Sequence, residues 1–175
     1  MEFTLVPFAD DKINLHIDGD IEVTRQKISA RYRLTGDMQR VRWPQIAHRH
    51  ERTFELWATT CFEFFIGPRA HPAYFEFNLS PSGDWNSFAF SDIRTDMAET
   101  ARLTLHHVSV HCDRTSALLG ADIDFQPDDL AGPLDIGVSA VIETVDGRCH
   151  YFALAHPGKR PDFHARQVRL VAAEI

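Results

Sequence analysis

The sequence contains no apolar run approaching ~18 residues, so it offers no candidate membrane-spanning helix. The opening Met1-Glu2-Phe3-Thr4-Leu5-Val6-Pro7 has neither the basic start nor the ~7–15-residue apolar stretch of a secretory signal. A cytoplasmic protein is therefore expected. Cysteine is scarce: Cys61, Cys112 and Cys149 are widely spaced, odd in number and form no Cys-x-x-Cys. A disulfide framework is not expected in a reducing compartment, and a structural zinc site lacks its spacing. Basic charge is outweighed, 18 Lys and Arg against 25 Asp and Glu, for a net charge of -7, and the arginines are scattered. A nucleic-acid surface needs the opposite balance or a local basic patch, so neither nucleic acid nor membrane is expected as a partner. Nucleophile elbow, P-loop, dinucleotide fingerprint and His-Glu-x-x-His are all missing.

What the 175 residues do contain is Phe, 13 copies against three each of Tyr and Trp, within a 44% hydrophobic chain. That is enough for one domain over residues 1–175 with a full core. The hydrophobic pattern has period two. Ile13/Leu15/Ile17, Ile28/Ala30/Tyr32/Leu34, Phe62/Phe64/Ile66, Phe75/Phe77/Leu79, Phe88/Phe90 and Leu103/Leu105 alternate with other residues. Leu119/Ala121/Ile123/Phe125, Ile136/Val138/Ala140/Ile142, Phe152/Leu154 and Val168/Leu170 continue the pattern. Turn signals at Asp18-Gly19-Asp20, Gly67-Pro68, Pro81-Ser82-Gly83-Asp84, Gly132-Pro133 and Asp146-Gly147 punctuate these runs. About ten short strands without a long helix predict an all-β, antiparallel β-sandwich, immunoglobulin-like or jelly-roll-like. Short helical turns are expected at 95–101 and 127–130, and an irregular loop at 43–55.

Residues 61–90 carry the most information. Phe62, Phe64 and Ile66 share one strand face, and Cys61, Glu63 and Phe65 the other; Phe75, Phe77 and Leu79 oppose Tyr74, Glu76, Asn78 and Ser80. Burying both Phe faces in one core pairs Phe64 with Phe77 and Glu63 with Asn78. A four-residue turn at 81–84 would then set Ser80 beside Trp85, Phe77 beside Phe88 and Phe75 beside Phe90. This register places Glu63, Asn78 and Trp85 together on an outer face, with Phe65 exposed. Carboxylate, amide and hydroxyl groups beside aromatic rings suit a neutral polyol, whose C–H face the rings cover. The same face can equally be the wet side of a two-sided sheet.

The runs Glu55-Leu56-Trp57-Ala58-Thr59-Thr60-Cys61-Phe62-Glu63-Phe64-Phe65-Ile66 and Tyr74-Phe75-Glu76-Phe77-Asn78-Leu79-Ser80-Pro81-Ser82-Gly83-Asp84-Trp85 resemble the DOMON-like superfamily, in the branch related to family 9 carbohydrate-binding modules. Gly120-Ala121-Asp122-Ile123-Asp124-Phe125, Tyr151-Phe152-Ala153-Leu154-Ala155-His156 and Pro161-Asp162-Phe163-His164 fit the same pattern, so the resemblance spans roughly residues 30–172. It implies a β-sandwich that binds a sugar or, in other branches, haem. It also offers Trp57 and Trp85 as counterparts of the aromatics that stack on sugars. Haem-binding members use a Met and a His as axial ligands, and Met38 and Met97 lie outside the matching motifs.

Four further constellations bear on function. The loop from His156 to His164, with Pro157 and Pro161 restricting its backbone, brings Asp162, Lys159, Arg160 and two imidazoles together, either as a ligand grip or as a structural corner. Arg94 follows the third Phe-rich strand and can pair with Glu76 or Asp92. His107 and His111 share a strand face but stand ~13 Å apart, too far for one metal, and His48 and His50 lack a third ligand fixed by spacing. Glu63 and Glu76, diagonal on neighbouring strands, offer a carboxylate pair for glycoside chemistry. The expectation is a non-catalytic module with no cofactor that binds a carbohydrate or other small polyol. Its site residues are Trp57, Glu63, Asn78, Trp85, Arg94, His156, Asp162 and His164. A haem- or metal-binding domain and a protein-interaction β-sandwich are the alternatives.

Overall fold

The computed structural model describes residues 1–8, 13–47, 49–166 and 169–172. The chain forms β1 (Glu2–Pro7), β2 (Leu15–Val23), β3 (Lys27–Gly36), β4 (Cys61–Pro68), β5 (Tyr74–Leu79) and β6 (Trp85–Phe90). There follow β7 (Ala98–Glu99), β8 (Leu103–Cys112), β9 (Ser116–Phe125), β10 (Leu134–Glu143), β11 (Cys149–Ala153) and β12 (Leu170–Ala172). Helix is confined, among the described residues, to single 3-10 turns at Met38–Arg40, Leu56–Ala58 and Pro127–Asp129. Every ladder between named strands is antiparallel. The all-β, antiparallel expectation is met, and each alternating run has a strand, although Val168 lies outside the described residues.

The strands follow one path, β7-β6-β5-β4-β10-β11-β1-β2-β3-β9-β8, with β12 added beside β10. β1 holds the path together: Glu2–Leu5 pair with β2, whereas Val6 and Pro7 pair with β11. Five strand-to-strand steps separate β3 from β4 along this path, yet the rings of Tyr32 and Phe62 lie 5.2 Å apart. The Tyr32 hydroxyl also donates to the Glu63 carbonyl at 2.9 Å. The sheet therefore curls until its halves face each other. Ile17, Ile28, Leu34 and Leu119 of one half and Phe62, Phe64, Phe77 and Val138 of the other share one buried core.

Three local expectations change. Residues 95–101 hold the short edge strand β7 instead of a helical turn. Asp18-Gly19-Asp20 runs through β2 instead of ending it: a Cβ on Gly19 would stand 1.9 Å from the Arg31 carbonyl oxygen, so this glycine serves close backbone approach. The third change reverses β6. Leu79 pairs with Trp85, Asn78 with Asn86, Phe77 with Ser87 and Glu76 with Phe88. The loop has three residues, not four. Gly83 donates to the Ser80 carbonyl at 2.9 Å, Ser80 donates to the Asp84 carbonyl at 2.8 Å, and Gly83 takes the left-handed φ of 92° that a bulged three-residue hairpin requires.

Trp85 accordingly enters the main core, where it stacks on Phe77 with centroids 5.6 Å apart and an interplanar angle of 17°, the Arg52 guanidinium 4.8 Å from its centroid. Phe88 and Phe90 instead join Phe65 and Tyr74 in a second cluster on the opposite face of β4–β6. Phe65 is buried, not exposed. Trp85→Ala should thus behave as a core truncation, costing ~3–5 kcal/mol in urea unfolding.

Candidate functional site

The second cluster covers only part of the outer face of β4–β6. Next to it, β4, β10 and β11 align Glu63, Ser139 and Ala153 in one row and Cys61, Val141 and Tyr151 in the next. These are mostly short side chains, and they leave a trough. Two segments wall it: the turn at Leu56–Ala58, which carries Trp57, and the stretch from Pro161 to His164. Arg94 and Met97, from the β6–β7 connection, stand at its mouth. The resulting cleft has a volume of about 500 Å³ and is lined by Glu63 and Glu76 together with the aromatic rings of Trp57, Phe90, Tyr151 and Phe163.

The walls are built on unusual backbone. Glu55, which precedes the Trp57 turn, has φ 59°, and Arg94 has φ 54°. A non-glycine residue in the left-handed region costs ~1–2 kcal/mol, so other contacts must hold it. For Arg94, its amide donates to the Tyr74 hydroxyl at 3.3 Å and its guanidinium bonds Asp162 at 3.0 Å. Trp57 packs edge-on against Phe54 and Phe88, at 5.3 and 5.5 Å between centroids, and keeps part of its surface open to the cleft.

Glu63 and Glu76 sit diagonally on β4 and β5 and are both buried. Glu63 Oε2 accepts from Ser139 at 3.1 Å, and Glu76 Oε1 accepts from the Asn78 amide at 2.7 Å. Glu63 Oε1 is buried with no hydrogen-bond partner among the described residues. Burial disfavours both charges, and the Glu76 carboxylate further opposes ionisation of Glu63, so both carboxyl groups are held well above their ordinary value. They titrate as a pair.

His164 moves the other way. Burial and the nearby Arg94 charge lower it to about 4, so its ring is neutral. The Tyr74 hydroxyl accepts the Arg94 amide, which leaves its own proton for His164 Nδ1 at 2.6 Å. On that network the imidazole proton is assigned to Nε2, 3.8 Å from Glu76 Oε2.

Of the eight expected site residues, Trp57, Glu63, Arg94 and His164 line the cleft. Asp162 holds Arg94 and accepts the His164 amide at 3.1 Å, which places it behind the mouth. Asn78 lies on the expected face but is wholly buried and supports Glu76. Trp85 belongs to the core on the opposite face. His156 is not part of the cleft: its Nε2 bonds the Val6 carbonyl at 3.0 Å and its ring packs on Phe8. Glu76 and Tyr151 were accessible to strand alternation, since each shares a face with Glu63. Phe163 enters from a loop that has no periodic signal.

The pH response of stability follows from these groups. Carboxyls raised by folding stabilise least where ionised, so stability declines as pH rises above 4.5 through the folded values. His164, lowered from 6.5 to about 4, withdraws stability only as pH falls below 6.5. Above 6.5 the carboxyl pair alone of these three groups acts. Thermal melts should therefore show the melting temperature falling with pH in that range, and Glu63→Gln should flatten the fall.

No protein-family profile and no curated protein matches the sequence. Solved structures do share its fold. A "putative carbohydrate-binding protein" from Bacteroides uniformis ATCC 8492 superposes with a TM-score of 0.70 at 13% identity, over 98% of this chain and 84% of the other. A family 9 carbohydrate-binding module from Caldicellulosiruptor kristjanssonii, in complex with glucose, gives a TM-score of 0.59 at 6% identity, over 90% and 76% of the two chains. The cellotriose complex of such a module from the same organism gives 0.55 at 6%, over 87% and 71%. At these identities the likeness establishes a shared fold.

Proposed function

We propose that the protein is a non-catalytic carbohydrate-binding module whose ligand occupies the cleft above Glu63 and Glu76. The observation that carries this reading is the unpartnered Glu63 Oε1, buried at the floor of an aromatic-lined cleft of about 500 Å³. A buried carboxyl oxygen without a partner costs ~1–3 kcal/mol, and a ligand hydroxyl, which can both donate and accept, would relieve it. Trp57, Tyr151 and Phe163 supply flat apolar surface for the C–H face of a sugar ring. Arg94 stands at the mouth, where it can donate to ring oxygens. The fold shared with modules solved with glucose and cellotriose supports the same ligand class. Within this reading the curled sheet is a β-sandwich of the DOMON-like type, and the protein acts in the cytoplasm.

A haem reading gains one observation, that Met97 and His164 both line the cleft. The residues nevertheless fit haem poorly. His164 Nδ1 is engaged by Tyr74, its Nε2 carries the remaining proton, and two buried carboxyl groups occupy the floor.

Calorimetry with glucose and cellotriose tests the carbohydrate proposal. Trp57→Ala should weaken binding about tenfold, the loss of one stacking surface, whereas Arg33→Ala, whose side chain pairs with Asp18 on the other half of the sheet, should leave it unchanged. Unaltered affinity in Trp57→Ala would place the ligand elsewhere.

A further inference from the structure

The floor of the cleft carries more acid than the protein itself balances. Glu63 and Glu76 are side by side and buried, yet among the described residues neither has a Lys or Arg nitrogen within 4 Å. The cations nearby are only partly available: the Arg94 charge favours ionisation of both carboxyls from a distance, but burial outweighs it. Arg94 is bound to Asp162, and Arg169 lies 4.5 Å from the Tyr74 ring centroid and donates to the His164 carbonyl at 3.3 Å. The other titratable groups facing the pair add no positive charge. Cys61 beside Glu63, Tyr32 beneath β4 and Tyr74 beside Glu76 are all held neutral by burial, and His164 is neutral as well. Above the carboxyls stand the rings of Trp57, Phe90, Tyr151 and Phe163, whose faces attract cations.

A neutral hydroxyl can bond Glu63 Oε1 but gives neither buried carboxyl a reason to give up its proton. An ammonium group supplies three donors and a positive charge against which the pair can ionise. We infer that the cleft's ligand bears a protonated amine seated against Glu63 and Glu76. This rests on the carbohydrate reading for the remainder of the ligand, and the two together specify an amino sugar with a free ammonium group. Because the amine favours ionised carboxyls, binding should expel a proton from the pair.

The test compares glucosamine, glucose, N-acetylglucosamine and cyclohexylammonium by calorimetry in buffers of different ionisation enthalpy. It runs from about pH 5.5 to about 7, below the range in which an aliphatic amine loses most of its charge. Glucosamine should bind about tenfold tighter than glucose or the acetylated sugar, tighten as pH rises, and release protons. Glu63→Gln and, independently, Glu76→Gln should bring the ratio of glucosamine to glucose affinity toward one. The far-ultraviolet spectrum reports whether each variant is folded. Equal affinity for glucose and glucosamine at every pH would overturn the ammonium inference and leave the carbohydrate reading standing. Binding of cyclohexylammonium but of no sugar would keep the ammonium site and overturn the carbohydrate reading. Failure of all four probes would remove both.

Discussion

The structure depends on the double-sided burial of β4. One side of this strand gives Phe62, Phe64 and Ile66 to the core between the two halves of the sheet, and the other gives Glu63 and Phe65 to the face beneath the covering loops. Tyr32 clamps the arrangement from the far half through its ring contact with Phe62 and its hydrogen bond to the Glu63 carbonyl. The backbone that anchors the curl thus also fixes the position of the acid at the floor of the cleft. Packing and site geometry share one strand.

Burial governs the electrostatics in the same way. A carboxyl on a wet sheet face would be ionised and solvated. Here the rings of Trp57, Tyr151 and Phe163 and the short side chains of β10 shield Glu63 and Glu76 from water, and the acids respond by holding protons more tightly. His164, under the same desolvation, sheds its charge. Acid and imidazole move toward neutrality from opposite directions, which is what desolvation asks of both. The network from the Arg94 amide through the Tyr74 hydroxyl to His164 Nδ1 then orients the neutral ring.

Much of the fold was legible because alternation is a local signal. The ten runs became strands, and the pairing of Glu63 with Asn78 and Phe64 with Phe77 follows from burying two Phe faces together. The β6 register was not legible, because it depends on whether the hairpin loop closes after three residues or four. β7 and β1 were also missed: β7 is two residues long, and β1 offers only Phe3 and Leu5 as an alternating pair before its pairing passes from β2 to β11. At the site, the elements with periodicity delivered Glu63 and offered Glu76. The loops delivered Trp57, Arg94 and His164 through residue type and family resemblance, while Phe163 and the exclusion of His156 are decided by tertiary packing that no local pattern encodes.

The tight connection at 81–83 has a consequence for reading sequences of this shape. Adding or deleting a single amino acid there would exchange the two sides of β6, sending the indole outward and the benzyl groups inward. An aromatic that occupies the same column in two aligned chains can therefore serve the interior of one and the outer face of the other. Loop length, counted between Ser80 and Asp84, is the more dependable guide to which side chain meets the cleft.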